Sequence, residues 1–366
     1  MGNGCWKLGT AAMALGLALA AAAPAAMAQK VSFKDPRDDD NGPGTYTYPT
    51  DPVYKPGSFD MTAFTLKAHG DKVDLDVEMA AKLEDPWKTG NGFSVQMVFI
   101  FVQTRAGKQE GGAKAGAEKA GGKKKSGAHE AGGKPAGKAA AGKAADKAAA
   151  GKTADKAAGE KHGFIQGLPG LQVQFAPDDA WDRCIILSPQ PAARVLAEVE
   201  AKAAAMRDAI VIPARVKGSG HAISATVDRK ALGPGDPTDW GYQVVIASSD
   251  PYPATDSLLI RKVVETESQH RFGGGKDGDC APNVLDVLAG DGEGEPAEVA
   301  QQHEMLRYEC NPDNTPKQLA TLKMVRVDKD EDKGKDKGKD KGKEKEKEKE
   351  KEKDTVKDED KGVTKD

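Results

Sequence analysis

Residues 73–79 alternate strictly, with Val73, Leu75, Val77 and Met79 on one side and Asp74, Asp76 and Glu78 on the other. Successive side chains of a strand point to opposite faces, so this pattern predicts a half-buried antiparallel strand. Residues 93–103 carry a longer apolar run, Val95-Gln96-Met97-Val98-Phe99-Ile100-Phe101-Val102, which suits a central strand of a sandwich. Further strands are predicted at 59–67, 171–175, 184–187, 209–216, 222–227, 242–247 and 320–327. Helical spacing appears at 192–206 and again at 298–308. Many short strands separated by Gly, Pro and Asp turns predict an all-β sandwich with one or two short helices.

Two stretches break the pattern. Residues 105–162 repeat units such as Ala-Gly-Lys-Ala-Ala and contain almost no large apolar side chains. Such a segment cannot offset the entropy of ordering, so a long disordered insertion is expected there. Residues 328–366 repeat Lys-Asp-Lys-Gly and then Lys-Glu, which predicts a disordered tail. The insertion is flanked on both sides by well-patterned strands. Loop closure costs grow slowly with length, so one domain is expected to run through it, as 29–104 and 163–327.

The first 28 residues have the form of a signal peptide. Lys7 precedes an apolar run from Ala11 to Ala26, and Ala26-Met27-Ala28 offers small residues for cleavage before Gln29. A periplasmic or extracellular protein with no transmembrane segment after cleavage is the expectation.

Charge changes the picture of partners. The chain carries -3 in all, but the insertion holds 13 Lys and one Arg against six acids, a surplus of +8. The tail holds 15 Lys against 16 acids and the leader adds Lys7, so the foldable 241 residues carry -11. That argues against nucleic acid as the partner and for cations or neutral ligands.

The densest polar cluster is Asp35-Pro36-Arg37-Asp38-Asp39-Asp40-Asn41-Gly42-Pro43-Gly44. Four acids and an Asn within seven residues, on a stretch bent by Gly and Pro, can surround a hard cation with oxygens. The stretch does not fit an EF-hand: aligning Gly42 with that loop's glycine puts Arg37 at the first ligand position and Tyr48 at the bidentate Glu. A structural Ca²⁺ held by Asp38, Asp39 and Asp40, completed by Asp60, is expected; a solvated acidic turn is the alternative. Trp87 and Trp181 lie in polar surroundings, Asp85-Pro86-Trp87 and Asp178-Asp179-Ala180-Trp181-Asp182. Flat indoles beside acids are suited to stacking on sugar rings, so both are candidate ligand-binding residues; packing at the ends of the sandwich is the alternative. Export permits disulfides. Cys280 and Cys310, both in polar loops, are the candidate pair; Cys184, in Cys184-Ile185-Ile186-Leu187, is read as a buried thiol, and three free thiols is the competing reading. No Gly-x-Ser-x-Gly, His-Glu-x-x-His or Walker loop occurs, so no catalytic residue is assigned.

Asp38-Asp39-x-Asn41-Gly42-Pro43-Gly44-Thr45-Tyr46-Thr47-Tyr48-Pro49-Thr50 resembles the opening signature of the C-terminal binding module of glucodextranase. That module is S-layer-homology-like in name and belongs to the family-9-like, DOMON-like carbohydrate-binding sandwiches. Pro86-Trp87, Asn91-Gly92-Phe93-Ser94, Trp240-Gly241-Tyr242-Gln243, Phe272-Gly273-Gly274-Gly275 and Pro282-Asn283-Val284-Leu285-Asp286 are similar to later pieces of it, in the same order. The resemblance implies an immunoglobulin-like or jelly-roll sandwich, no catalysis, and binding to polysaccharide or a cell-envelope glycan, with a separate glycosidase as partner. It also fits calcium at Asp38–Asp40 and sugar contacts by Trp87 and Trp181. Two other classes stay open. A haem-binding or redox-partner sandwich would hold haem through Met or His, but no Cys-x-x-Cys-His occurs and Met79 and Met97 fall on apolar strand faces suited to core packing; a structural or assembly protein of the envelope would work through its insertion and tail.

Overall fold

Two sheets lie face to face, and the difference between their sequences follows from how each is covered. The structure, a computed structural model, describes residues 29–104 and 165–328. The expected leader, the insertion and all but the first residue of the tail lie outside the described residues.

The first sheet is built from β1 (Gln29–Lys34), β2 (Met61–His69), β3 (Lys72–Met79), β8 (Val216–Ser219) and β9 (Ala222–Asp228). Its order is β1-β2-β3-β9-β8, antiparallel throughout. One face is buried and the other meets water, so β3 alternates as the sequence requires. The second sheet contains β4 (Gln96–Gln103), β6 (Arg183–Leu187), β7 (Ile210–Val211), β10 (Gly241–Ser248) and β11 (Asp286–Val287), in the order β11-β10-β4-β6-β7. β15 (Val325–Arg326) pairs with the start of β10, on the edge that β11 occupies farther along. Every residue of β4 and of β10 is buried.

The core is therefore double. Between the sheets, Val31, Phe33, Phe64, Leu66, Leu75 and Val77 meet Val98, Ile100, Tyr242 and Val244. Phe33 stacks on Phe64 and tilts against Tyr242, ring centroids 6.5 and 5.8 Å apart. Behind the second sheet, Met97, Phe99, Phe101 and Cys184 pack on Val195 and Val199 of α1 (Ala192–Lys202) and on Phe175 of β5 (Val173–Phe175). Covering on both faces explains why β4 is apolar almost without interruption.

The two sequence segments on either side of the insertion interleave. β3 pairs with β9, and β4 pairs with both β6 and β10. The result is an all-β sandwich with three α-helices among the described residues: α1, the single-turn α2 (Arg229–Leu232), which the pattern does not predict, and α3 (Pro296–Met305). β12 (Glu309–Cys310) pairs with β13 (Pro316–Gln318), and β14 (Ala320–Leu322) runs parallel to β5.

Three expectations shift. The strand β1 escapes the pattern search because only Val31 and Phe33 mark its buried face. The single strand expected at 209–216 is two: β7 joins the second sheet and β8 the first, with Pro213, which has no N–H to donate, in the gap. The run at 320–327 likewise changes partner, from β5 through β14 to β10 through β15. No helix among the described residues is long and apolar enough to cross a membrane.

Candidate metal centre

Asp35 follows directly on β1, Asp60 directly precedes β2, and Asp286 opens β11. The loop after β1 brings Asp39 to the same place. Carboxylate oxygens of Asp35, Asp39 and Asp286 all lie within 4.8 Å of one another. Asp35, Asp39, Asp60 and Asp286 are 5, 1, 0 and 0 % exposed.

Backbone groups around these acids hold the loop and the strands together. Met61 N–H donates to Asp286 Oδ2 at 2.6 Å, and Asp38 N–H donates to Asp60 Oδ2 at 2.8 Å. Gln302, from α3, clamps the loop to β11: its side-chain N–H donates to the Asp39 carbonyl and its Oε1 accepts from Val287 N–H at 2.9 Å. Gly42 N–H reaches Leu285 O at 2.8 Å. Gly42 has φ +61°, and a Cβ there would lie 2.4 Å from the Tyr46 ring, so glycine is required on both counts.

The carboxylates themselves are not satisfied. Both oxygens of Asp35, both of Asp39, Asp60 Oδ1 and Asp286 Oδ1 are buried with no hydrogen-bond partner. Buried acceptors left unpaired are costly, and buried like charges more so. Burial first, and the neighbouring acids second, push the Asp35 and Asp286 carboxyls well above the ordinary carboxylate range. Asp39 is pushed up to about 7, by burial and then by Asp60. Asp60 is pushed up to about 6, by burial; Arg37 pulls the other way but contributes least. Oxygens of three of these carboxylates converge, and hard oxygens of this kind are what Ca²⁺ takes as ligands. Asp35, Asp39 and Asp286 would hold such an ion, with Asp60 beside them.

The expected ligand set Asp38, Asp39, Asp40 and Asp60 is thus divided. Asp39 belongs to the cluster, and Asp60 lies beside it. Asp38 is exposed with φ +66°, and contributes its N–H rather than its carboxylate. Asp40 is buried but turned to Tyr48, whose hydroxyl donates to it. Asp35 and Asp286 complete the group in their place. Asp35 stands in the same acidic run, and Asp286 is conspicuous in sequence as one acid inside Val284-Leu285-Asp286-Val287-Leu288.

The two tryptophans do not meet. Trp181 is fully buried, its ring 5.3 Å from that of Phe101 behind the second sheet. No face of its indole is free for a sugar ring. Trp87 packs at the margin of the inter-sheet core, edge-on to Tyr54 and to His270 at 6.3 Å each, and keeps part of its surface exposed. Cys280 and Cys310 form a disulfide with Cα atoms 5.6 Å apart, and Cys184 is a buried free thiol.

Against known proteins, the family described as the C-terminal binding module, SLH-like, of glucodextranase matches residues 31–126 and 154–325. No curated protein matches the chain.

Proposed function

The chain belongs to the family of SLH-like C-terminal binding modules of glucodextranase, and from that premise we propose that it is an exported, non-catalytic module that binds a polysaccharide or cell-envelope glycan and is stabilised by a structural calcium ion. The observation that carries the binding role is the family match, which spans both sequence segments of the sandwich and nearly all of its strands. Calcium rests on the six unpartnered buried oxygens, because a divalent ion is what turns that arrangement from a cost into a clamp. The ion would tie the end of β1, the start of β2 and β11, joining the two sheets at one end. Export is supported by the Ala26-Met27-Ala28 cleavage pattern after an apolar run. A separate glycosidase is the partner such a module suits.

Calorimetry of the full mature chain, with Ca²⁺ present, against soluble α-glucans and purified cell-wall polysaccharide tests the binding role. Heat with at least one glycan is expected; silence with all of them sinks the glycan reading. The redox alternative finds no support in the placement of its candidate ligands. Met79 lies in the inter-sheet core and Met97 in the core behind the second sheet, so the two share no site. The assembly alternative rests on segments outside the described residues.

A further inference from the structure

With Trp181 buried, the sandwich needs another place to hold a sugar. The molecule has a cavity of about 710 Å³ beside the loop that carries the carboxylate cluster. We propose that this cavity is the binding site for a neutral oligosaccharide, with Tyr308 as its stacking platform and Arg307, Glu304, Lys276, Glu265 and His303 as its hydroxyl-binding groups. The proposal rests on the glycan-binding role and says where, and for what class of glycan, that role is carried out.

Three features of the cavity fit this ligand. The first is charge. Lys276 Nζ lies 2.7 Å from Glu265 Oε1, and Arg307 lies 2.9 Å from Glu304 Oε1. Each cation is already matched by an acid, so the wall has no surplus of either sign for an ionic ligand. It offers donors and acceptors side by side instead. A sugar hydroxyl does both, accepting from a guanidinium or ammonium and donating to the neighbouring carboxylate. These exposed ion pairs are individually weak, so opening them toward a ligand costs little. The second feature is Tyr308, whose ring is half-buried at the cavity wall and presents the apolar surface that pyranose C–H groups stack on. The third is shape. A second cavity, of about 440 Å³, shares Ala300, Glu304 and Arg307 with the first. The two cavities therefore adjoin beside α3, where a ligand of more than one sugar unit can reach both.

The site is held in shape before any ligand arrives. Tyr308 and Lys276 lie just before Cys310 and Cys280, and the disulfide between those cysteines joins the two segments. The opposite wall is residues 43–45. Thr45 Oγ1 donates to Gly274 O at 3.0 Å, and His303 Nε2 faces Asn41 Oδ1 at 3.2 Å. Gly274, at φ +82°, lets the two walls approach: a Cβ there would sit 2.0 Å from Thr45 O. Preorganised walls lower the entropic cost of binding.

The test is calorimetric titration of the full mature chain, with Ca²⁺, using maltoheptaose, an α-1,6-linked glucose hexamer and an oligogalacturonate of similar length. Glu304→Gln and Arg307→Ala alter exposed side chains; Tyr308→Ala removes the platform. Tyr252→Ala serves as the comparison, since Tyr252 does not line the cavity and is 87 % exposed. The expected result is binding of a neutral oligomer, weakened tenfold or more by Tyr308→Ala and Arg307→Ala and severalfold by Glu304→Gln, with Tyr252→Ala unchanged. Wild-type binding that survives the Tyr308, Arg307 and Glu304 changes overturns the site while leaving the module role intact. Tighter binding of the acidic oligomer overturns the neutral class. No binding of any glycan by the wild type fails the module role and the site with it.

Discussion

The same chemical group meets two opposite fates on either side of one loop. Asp35, Asp39, Asp60 and Asp286 are buried, crowded and short of partners, and none forms an ion pair among the described residues. Glu265 and Glu304, in the cavity beyond residues 43–45, are exposed and each holds a cation. Burial decides what each set wants. A buried carboxylate group without donors calls for a cation of higher charge or for protons, whereas exposed ion pairs form a wall that a hydroxylated ligand can enter. The acidic balance of the foldable part does not reveal this difference, because net charge counts both sets alike.

The comparison can be broken by removing the cation. Saturating calcium at about a hundredfold excess over Kd adds about 2.7 kcal/mol to a fold that binds it. For a domain of this size that is a melting-temperature rise of about 5–11 °C, so a chelator should lower the melting temperature by as much. An unchanged melting curve with EDTA would place the four acids with ordinary buried polar groups.

A second prediction separates ligand from repulsion. Asp286→Asn removes one charge from the cluster and one ligand from the proposed ion site. The variant should melt below wild type in calcium but at or above it in EDTA, where fewer like charges are crowded together. Asp38→Asn, which leaves the donating N–H in place, should keep the wild-type response in both conditions. A loss of stability in both conditions with Asp286→Asn would show a purely structural carboxylate.

The third prediction concerns pH. An acid whose folded pKa is raised holds its proton more tightly folded than unfolded. The metal-free fold is therefore favoured below the ordinary carboxylate range and loses that advantage as pH rises through about 6 for Asp60 and about 7 for Asp39. Metal-free protein should melt several degrees lower at pH 8 than at pH 5, and calcium should restore most of the difference at pH 8. Metal-free stability that rises across this window would contradict the placement of these acids.

The smallest effect belongs to the other set. Glu265→Gln and Glu304→Gln should each change stability by less than about 0.5 kcal/mol and leave the chelator response unaltered, because exposed ion pairs contribute little. Urea melts with and without EDTA check this directly.

Much of the sandwich was legible because its patterning is physical. The alternation of β3 reports one dry face, and the unbroken apolar run of β4 belongs to a strand covered on both. The site was legible only in part, because local density is a poor guide to convergence. The acidic run pointed to the loop and to Asp39, but Asp38 and Asp40 turn away, and Asp286 arrives from the far end of the domain through the pairing of β11 with β10. Trp181 shows the same limit. Its neighbours in sequence are acids, yet a bridge to Ile165 turns the indole inward onto Phe101. Polar neighbours describe the loop, and the backbone path decides where the one apolar residue goes.

Calcium calorimetry on metal-free, full-length mature protein tests the central claim most directly. One ion should bind per chain, with the heat abolished by Asp286→Asn and by Asp39→Asn and retained by Asp38→Asn. No heat in the wild type, or heat that persists unchanged in Asp286→Asn, would contradict the account.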